Sequence, residues 1–518
     1  SALRYVASTG DDSDGTTLPK AWNQPEDCIN WLRTAAAGSE CVFLAGDTTT
    51  MVSSPTTAWS GITGDRRIRS SVAGTKATVT VGGGISFLNT SASNSGLLIM
   101  DIEINKTGGT NPIGWDMSLS AVVRVDLDAG ATRAWAMGTA ATVVDAVVWD
   151  SVFTTSTTAA GVYPMYAPGD ADDVRRAFVG NHFQFQNGEH TFRAWPYKLV
   201  IAYNEFEHDG TPSATKDNLK PVTGTDLGVD FESRYLYLAN NYIYETTTNT
   251  TIQIYQIGLD HDTGNNVGFR DYLFEGNFIE NRSTSTSIVH TGVVIRTVRN
   301  LVIRNNIFNG FARAFEVSTP GTLGNQPIRI YSNSFYANKA TNCFILKGGG
   351  ASEDIANLKF INNAVLDLAS TSSSNYEIQN SGTTGTLEST QILHTLTEWG
   401  SATAQFRVES TNYNADSWDD VALKAAQPNY GTLGTGVAPL FALPASNDFR
   451  LCTASGVPDA SCSGASPCID AGYDLPTVYY DYSGAVRNSD DVGAWDDDSV
   501  GASMGGGEGS LFLLGIGR

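Results

Sequence analysis

Between residues 188 and 220 the chain reads GEHTFRAWPYK, then NEFEHDG, then TKDNLK, its densest polar constellation. Here fall Glu189, His190, Arg193, Trp195, Tyr197, Lys198, Glu205, Glu207, His208, Asp209, Lys216 and Lys220, and three of the six histidines lie between 182 and 208. Two chemistries suit these residue types. Removing the proton α to a uronate carboxylate needs a base of tuned pKa and a cation to hold the carboxylate that becomes an enolate. His190, Arg193, Lys216 and Lys220 are the candidates for that work. Hydrolysis of a glycosidic bond uses two carboxylates about 5–9.5 Å apart, and Glu205 and Glu207 head that set, followed by Asp209, Asp260 and Asp262. Trp195, Tyr197 and Tyr235, with Tyr237, Tyr242 and Tyr255, offer flat apolar faces on which sugar rings can stack.

A second cluster is Asp260, His261, Asp262, Arg270 and Asp271, and a third is His290, Arg296 and Arg299. His261, Arg270 and Arg296 are read as substrate contacts, and Asp260 and Asp262 as a metal-binding pair. Charged residues on solvated faces are expected whatever the function, so these clusters are candidates and not signatures. There is no HExxH, GxSxG, P-loop or dinucleotide fingerprint, which disfavours metalloprotease, α/β-hydrolase and nucleotide-driven chemistry.

The elements that must hold these residues announce themselves by repetition. An apolar run ending in asparagine recurs as FVGN at Asn181, IAYN at Asn204, LANN at Asn241, FEGN at Asn277, IRNN at Asn306, IYSN at Asn333 and FINN at Asn363, at intervals of 23, 37, 36, 29, 27 and 30 residues. Repeats of this length mark units that cannot bury an apolar face alone and must stack. Each unit reads strand, turn, strand with period-two alternation, as in LVIRNNIFNG (301–310). No amphipathic helix separates the units, and they are shorter than a propeller blade.

A parallel β-helix, one unit per coil, is the economical solution. Asparagine then tolerates the left-handed backbone of a tight bend, and its amide can bond to those one coil above and below. These seven are therefore read as structural. Phe183, Phe206, Phe278, Phe308 and Phe335 would form an interior aromatic stack. LLIMD at Asp101, VVRVD at Asp126 and VVWD at Asp150 look like degenerate earlier coils, so the solenoid is expected to begin near residue 80. Stacked coils make neighbours of residues 20–40 positions apart, which could bring His190 and Arg193 to Lys216 or Lys220.

Net charge is −22, which argues against a nucleic-acid partner, because phosphate binding needs a basic face. Acidic runs at Asp11, Asp12 and Asp14 and at Asp490, Asp491 and Asp496 to Asp498 admit calcium, the one cofactor considered, although no EF-hand loop is present. Six cysteines allow fifteen pairings. Cys28 with Cys41 and Cys452 with Cys462 suggest themselves as staples at the two ends, with Cys343 and Cys468 harder to place, and an oxidising exterior is favoured over metal binding. No apolar run approaches the length of a membrane span. The start SALRYV reads as a mature end after signal removal or as a start trimmed of its initiator Met. The segment GASMGGGEGSLFLLGIGR (501–518) reads as a glycine linker with a short apolar tag.

Three stretches carry a specific resemblance: RYVASTGDDSDGTTLPKAW (4–22), CVFLAGDT (41–48), and SPCIDAGYD with DYSGAVRNSDDVGAWD (466–496). They resemble the opening, first-coil and closing segments of the right-handed parallel β-helix family of pectate-lyase-like proteins, which includes polysaccharide lyases, some glycosidases and viral tailspikes. The resemblance implies an all-β, single-stranded right-handed parallel β-helix with a short N-terminal capping helix, here Pro25 to about Ala37, and a loop-rich C-terminal cap. The expected division is 1–48 opening strand and capping helix, 49–440 parallel β-helix, 441–498 closing segment, and 499–518 linker and tail. It implies a polysaccharide or cell-surface glycan as partner and an extracellular setting, whether secreted, cell-surface or virion. In the resembled lyases Lys, Arg or His on one outer face does the chemistry, often beside calcium. No lyase motif matches cleanly, so no active site is carried over. The readings are a polysaccharide lyase or glycoside hydrolase; a non-catalytic virion fibre, spike or adhesin; or a filament subunit bridged by the apolar tail.

Overall fold

The computed structural model describes residues 2–55, 64–89, 94–107, 113–115, 117–130, 135–137, 145–156, 164–168, 175–186, 190–195, 197–209, 217–220, 234–246, 251–257, 269–283, 289–295, 298–311, 313–317, 328–337, 358–367, 391–393, 396–399, 406–408, 411–413, 440–453, 462–469, 475, 482, 491 and 493–494. Their strands form three long sheets. Among the described residues the first holds 14 strands, from Leu3–Val6 to Gln391–Leu393; the second 13, from Thr48–Met51 to Leu396–Trp399; and the third 9, from Leu88–Asn89 to Arg313–Val317. Every pairing between successive coils in these sheets is parallel, as in Lys198–Ala202 against Arg175–Val179 and Glu205–Asp209 against His182–Gln186. The chain is an all-β parallel β-helix.

One coil shows the plan. Lys198–Ala202 runs in the first sheet, the chain turns at Tyr203 and Asn204, Glu205–Asp209 runs in the second, Asp217–Lys220 in the third, and Arg234–Ala239 opens the next coil. The two-strand unit read from the sequence therefore lacks a strand: the third sheet was not anticipated. Alternation directs one set of side chains inward. Ile99, Val122, Val148, Phe178, Ile201 and Leu238 stack in the first sheet, each 1 % exposed or less. Each such side chain contributes about 1.5–3 kcal/mol by leaving water. In the second sheet Phe153, Phe183 and Phe206 stack at 5.2 and 5.0 Å, and Phe308 with Phe335 at 4.9 Å. Ile243 and Ile279 interrupt the aromatic column. Phe278 is not part of it: it pairs with Tyr242 and Ile307 on the outer face and meets Phe449 of the C-terminal segment at 6.0 Å.

The corner between the first two sheets carries the ladder. Asn204 is typical. Its Oδ1 accepts from the backbone N–H and Nδ2 of Asn181, both at 2.9 Å, while its Nδ2 donates to Phe178 O and to Asn241 Oδ1. The pattern continues through Asn277, Asn306 and Asn333 to Asn363, and all seven amides are at most 2 % exposed. The left-handed backbone falls on the residue before each ladder position: Asp101, Arg124, Asp150, Tyr203, Asn240, Asn305, Ser332 and Asn362, with Gly180 and Gly276. The expectation that the ladder asparagine itself takes the bend is thus corrected by one position. Asp101 and Asp150 are corner residues, Asp126 lies two beyond the corner Arg124, and Ser151 takes the ladder place with its hydroxyl accepting from Val125 N–H.

The solenoid starts earlier than residue 80. Leu3–Val6 pairs with Ser39–Phe43, which pairs with Arg66–Ser70. The helix Pro25–Thr34 buries Cys28, Ile29 and Leu32 against this end, and stops before the expected Ala37 because Ala35 is extended. Arg66 satisfies its C-terminal carbonyls at Leu32 and Ala35. Cys28–Cys41 and Cys452–Cys462 are bonded, Cys468 is free and buried, and Cys343 lies outside the described residues. At the other end the hairpin Phe441–Leu443 with Asp448–Leu451 lies on the outer face of the second sheet, packing around Ile307, Tyr336 and Leu366. Among the described residues no helix is long and apolar enough to cross a membrane.

Candidate functional site on the outer faces of the coils

A coil has three faces, so the 188–220 segment is dealt out among them. His190 is 2 % exposed, which corrects its expected place on an outer face. His208 is wholly buried, with Nδ1 2.5 Å from Glu245 Oε2. It shares an inward column with Lys106, whose ammonium donates to the Gly82 and Ile85 carbonyls at 2.5 Å. The interior is therefore not apolar throughout. Arg193 stands opposite Lys220 in the third sheet, and Trp195 ends the same strand. Arg270 lies in Phe269–Glu275 between Arg234 and Arg299. Lys216, Asp260, His261, Asp262 and Arg296 lie outside the described residues. Among the described residues no group of His, Cys, Asp and Glu could hold a metal ion.

Two clusters do form. On the outer face of the second sheet, Glu205 and Glu207 alternate past inward Phe206 and so point the same way. The Tyr244 hydroxyl, on the next coil, lies within reach of both carboxylates, and its single O–H donates to one of them at a time. Burial and then those carboxylates push its pKa up, so it remains a phenol that donates. Gln184 Nε2 donates to Glu207 Oε2 at 3.0 Å, and His182 Nε2 lies 3.3 Å from the same oxygen. Beyond Tyr244 the Arg282 guanidinium sits 4.0 Å over its ring and pairs with Glu280 at 2.8 Å. Tyr242 donates to Glu280 as well. Asn447 of the C-terminal hairpin donates to Glu280 Oε1 at 3.1 Å, where the covered part of this face begins.

The other cluster lies on the outer face of the first sheet. Tyr197 and Tyr235, both expected as sugar platforms, meet edge to face at 6.5 Å, and the Lys198 ammonium lies over the Tyr235 ring at 5.1 Å. Tyr235 is 53 % exposed. One coil on begins a cleft of about 550 Å³ lined by Asp271, Tyr272, Leu273, Asn300, Val302, Arg304, Arg329, Tyr331 and Leu475. Its polar wall is a chain: Arg329 donates to Asn300 Oδ1 at 2.8 Å, and Asn300 Nδ2 to Asp271 Oδ1 at 2.7 Å. At its other side Arg304 and Tyr237 both hold Glu275, at 2.6 and 2.8 Å. Tyr235, Asp271 and Asn300 share one position on successive coils, and all three are left-handed (φ 57°, 56° and 54°). Non-glycine residues held there, an aromatic above all, cost free energy and gather at functional sites.

The cleft arginines were missed from sequence, yet a signal existed. Glu275, Arg304 and Tyr331 each stand two residues before a ladder asparagine, so aligning the repeats on Asn277, Asn306 and Asn333 would have stacked them.

The architecture is that of the parallel β-helix proteins. Among solved structures the chain is similar to a pectate lyase, Pel9A, at 11 % identity over 96 % of both chains with a TM-score of 0.33. It is similar also to a PL6-family polysaccharide lyase of Pseudopedobacter saltans, at 11 % identity over 80 % of this chain and 90 % of that one, with a TM-score of 0.29. No protein-family model matches the sequence, and no curated protein does.

Proposed function

We propose that the protein is an extracellular β-helix that binds an acidic polysaccharide along the outside of its coils, on the first-sheet face. The observation that carries this reading is the alignment of the exposed Tyr197–Tyr235 platform with the cleft one coil away. Sugar rings stack on tyrosine faces. A carboxylate-bearing sugar also requires planar cationic donors, which Arg304 and Arg329 supply. Leu273, Val302 and Tyr331 give the apolar floor that such pockets share. Lys198 adds positive charge in a chain whose net charge is otherwise strongly negative. The two disulfides fit an oxidising exterior.

A second reading, cleavage as well as binding, is favoured by one observation: Glu205 and Glu207 share a face with a tyrosine hydroxyl between them. Two residues along a strand separate their Cβ atoms by about 6.5–7 Å, a base from which the two side chains can reach the carboxyl spacing of glycosidase pairs. Of the lyase candidates, His190 is buried, and Arg193 stands opposite Lys220 in the third sheet. The same groove would serve a non-catalytic virion fibre or adhesin.

A panel of acidic and neutral polysaccharides tests the proposal by retention on immobilised protein, with reducing ends and absorbance of unsaturated product read in parallel. Retention of acidic glycans is expected. New reducing ends without unsaturation would identify a hydrolase, unsaturated product a lyase, and no retention across the panel would overturn the reading.

A further inference from the structure

The outer face of the first sheet changes character below the Tyr235 platform. In five consecutive strands, Leu97–Met100, Ser120–Val123, Asp145–Trp149, Arg175–Val179 and Lys198–Ala202, two positions each alternate with buried inward ones, beyond the charged outward Asp145, Arg175 and Lys198 that open the last three. All ten are apolar, from Leu98 and Met100 at one end, through Val147 and Trp149, to Val200 and Ala202 at the other. The register stacks them in two unbroken columns. Val147 is 43 % and Trp149 41 % exposed, so among the described residues nothing covers the middle of the patch. A solvated sheet face normally alternates with polar residues; a contiguous apolar one marks an interaction surface.

The margins of the patch say what covers it. Glu40 with Arg69 at 2.7 Å, Asp101 with Arg124 at 2.7 Å and Asp145 with Arg175 at 2.5 Å bound it on three sides. With Arg67, which also pairs with Glu40, and with Lys198 and Asp150 at the same margins, acids and bases are nearly balanced there, although the chain as a whole carries 54 acidic against 32 basic side chains. An apolar centre with a charged rim is the anatomy of a protein interface. The only side-chain hydrogen-bond donor among the ten is the Trp149 indole N–H, too few for a sugar's many hydroxyls, and the rim offers an anionic membrane no large excess of cations.

We propose that this face associates with the same face of a second copy across a two-fold axis. A self-complementary patch needs a rim that does not repel its own image, and a nearly balanced rim meets that requirement where the rest of the surface would not. Five strands at about 4.8 Å and two columns about 7 Å apart give an apolar centre of roughly 300–400 Å². The ion-paired rim then brings each side toward the ~800 Å² of a standard interface. Trp149, central and half-exposed, is the anchor.

Sedimentation equilibrium of the full chain from about 0.1 to about 100 µM, the range in which interfaces of this size dissociate, tests this. The wild type is expected to dimerise, and Val147→Asp with Trp149→Asp to weaken association at least ~100-fold, with far-UV dichroism unchanged because both side chains point outward. Ala121→Arg, on a neighbouring coil, repeats the test should the double variant misfold. Tyr235→Ala, beyond the patch, should leave association intact. A wild type that stays monomeric at the highest concentration, or a dimer indifferent to both patch variants, would overturn the proposal. Neither outcome bears on glycan retention, which is read separately.

Discussion

Asn204 and Asn241 lie 37 residues apart in sequence and one coil apart in space, joined because Asn241 Oδ1 accepts both the backbone N–H of Asn204 at 2.9 Å and its Nδ2 at 3.0 Å. Each such amide satisfies groups on the coils before and after it, so the corner is fixed in register. Register in turn decides which side chains share an outer face, and hence which chemistry is possible there.

The middle of the ladder should tolerate least. Asn241→Ala removes the acceptor of Asn204 and the donors to Ile201 O and Asn277 Oδ1, leaving buried polar groups unsatisfied at about 1–3 kcal/mol each. A clear fall in the thermal midpoint is expected. Asn363→Ala, at the last described position of the ladder, should lower it less.

Asp101 predicts an acid limit. Burial alone would raise its pKa, but hydrogen bonds from the Arg124 guanidinium and the Gly74 backbone, with the charges of Arg124 and Lys76, hold the carboxyl below the ordinary range. A carboxyl depressed in the folded state stabilises above its unfolded pKa of about 3.9, and that stabilisation is lost as pH falls through the folded value. Asp101→Asn, which tolerates the left-handed backbone at φ 58°, should therefore lower the thermal midpoint at pH 7. The gap from wild type should close below about pH 4.

The buried His208–Glu245 contact should behave as a unit. Replacing either partner alone removes a buried hydrogen bond and costs about 1–3 kcal/mol. His208→Leu with Glu245→Leu should cost less than the sum of the single changes, a coupling that a double-mutant cycle on unfolding midpoints would detect.

Binding and cleavage should separate by face. Arg329→Ala should weaken acidic-glycan affinity about 10–100-fold, the worth of hydrogen bonds to a charged group, and Tyr235→Ala by up to about tenfold. Glu205→Gln and Glu207→Gln should leave retention unchanged while abolishing any release of reducing ends. Titration calorimetry and a reducing-end assay on the same variants check both halves.

The coil was legible because one residue type is demanded at one place: Asn181 to Asn363 recur wherever the corner needs an amide. The third sheet was not, because Phe192–Trp195 and Asp217–Lys220 carry no such marker and follow connections of unequal length. Phe278 shows how little separates the two faces. It lies one residue after its ladder asparagine where Phe206 lies two after, and a single step reverses the direction of a strand side chain. Residue type misled at His190, whose chemistry suggested a base and whose burial denies it. Arg304 and Arg329 were not read as site residues because their place shows only when the coils are stacked, Arg304 beside Glu275 and Arg329 beside Asn300.

On the proposed reading a glycan lies on the first-sheet face, across Tyr235 and the Arg329 cleft. Its most direct test is a crystal structure of the protein soaked with an acidic oligosaccharide. Sugar rings are expected over Tyr197 and Tyr235, with a carboxylate reaching Arg329 or Arg304. Sugar bound instead along the third sheet beside Arg193 and Lys220, with the first-sheet cleft unoccupied, would contradict it.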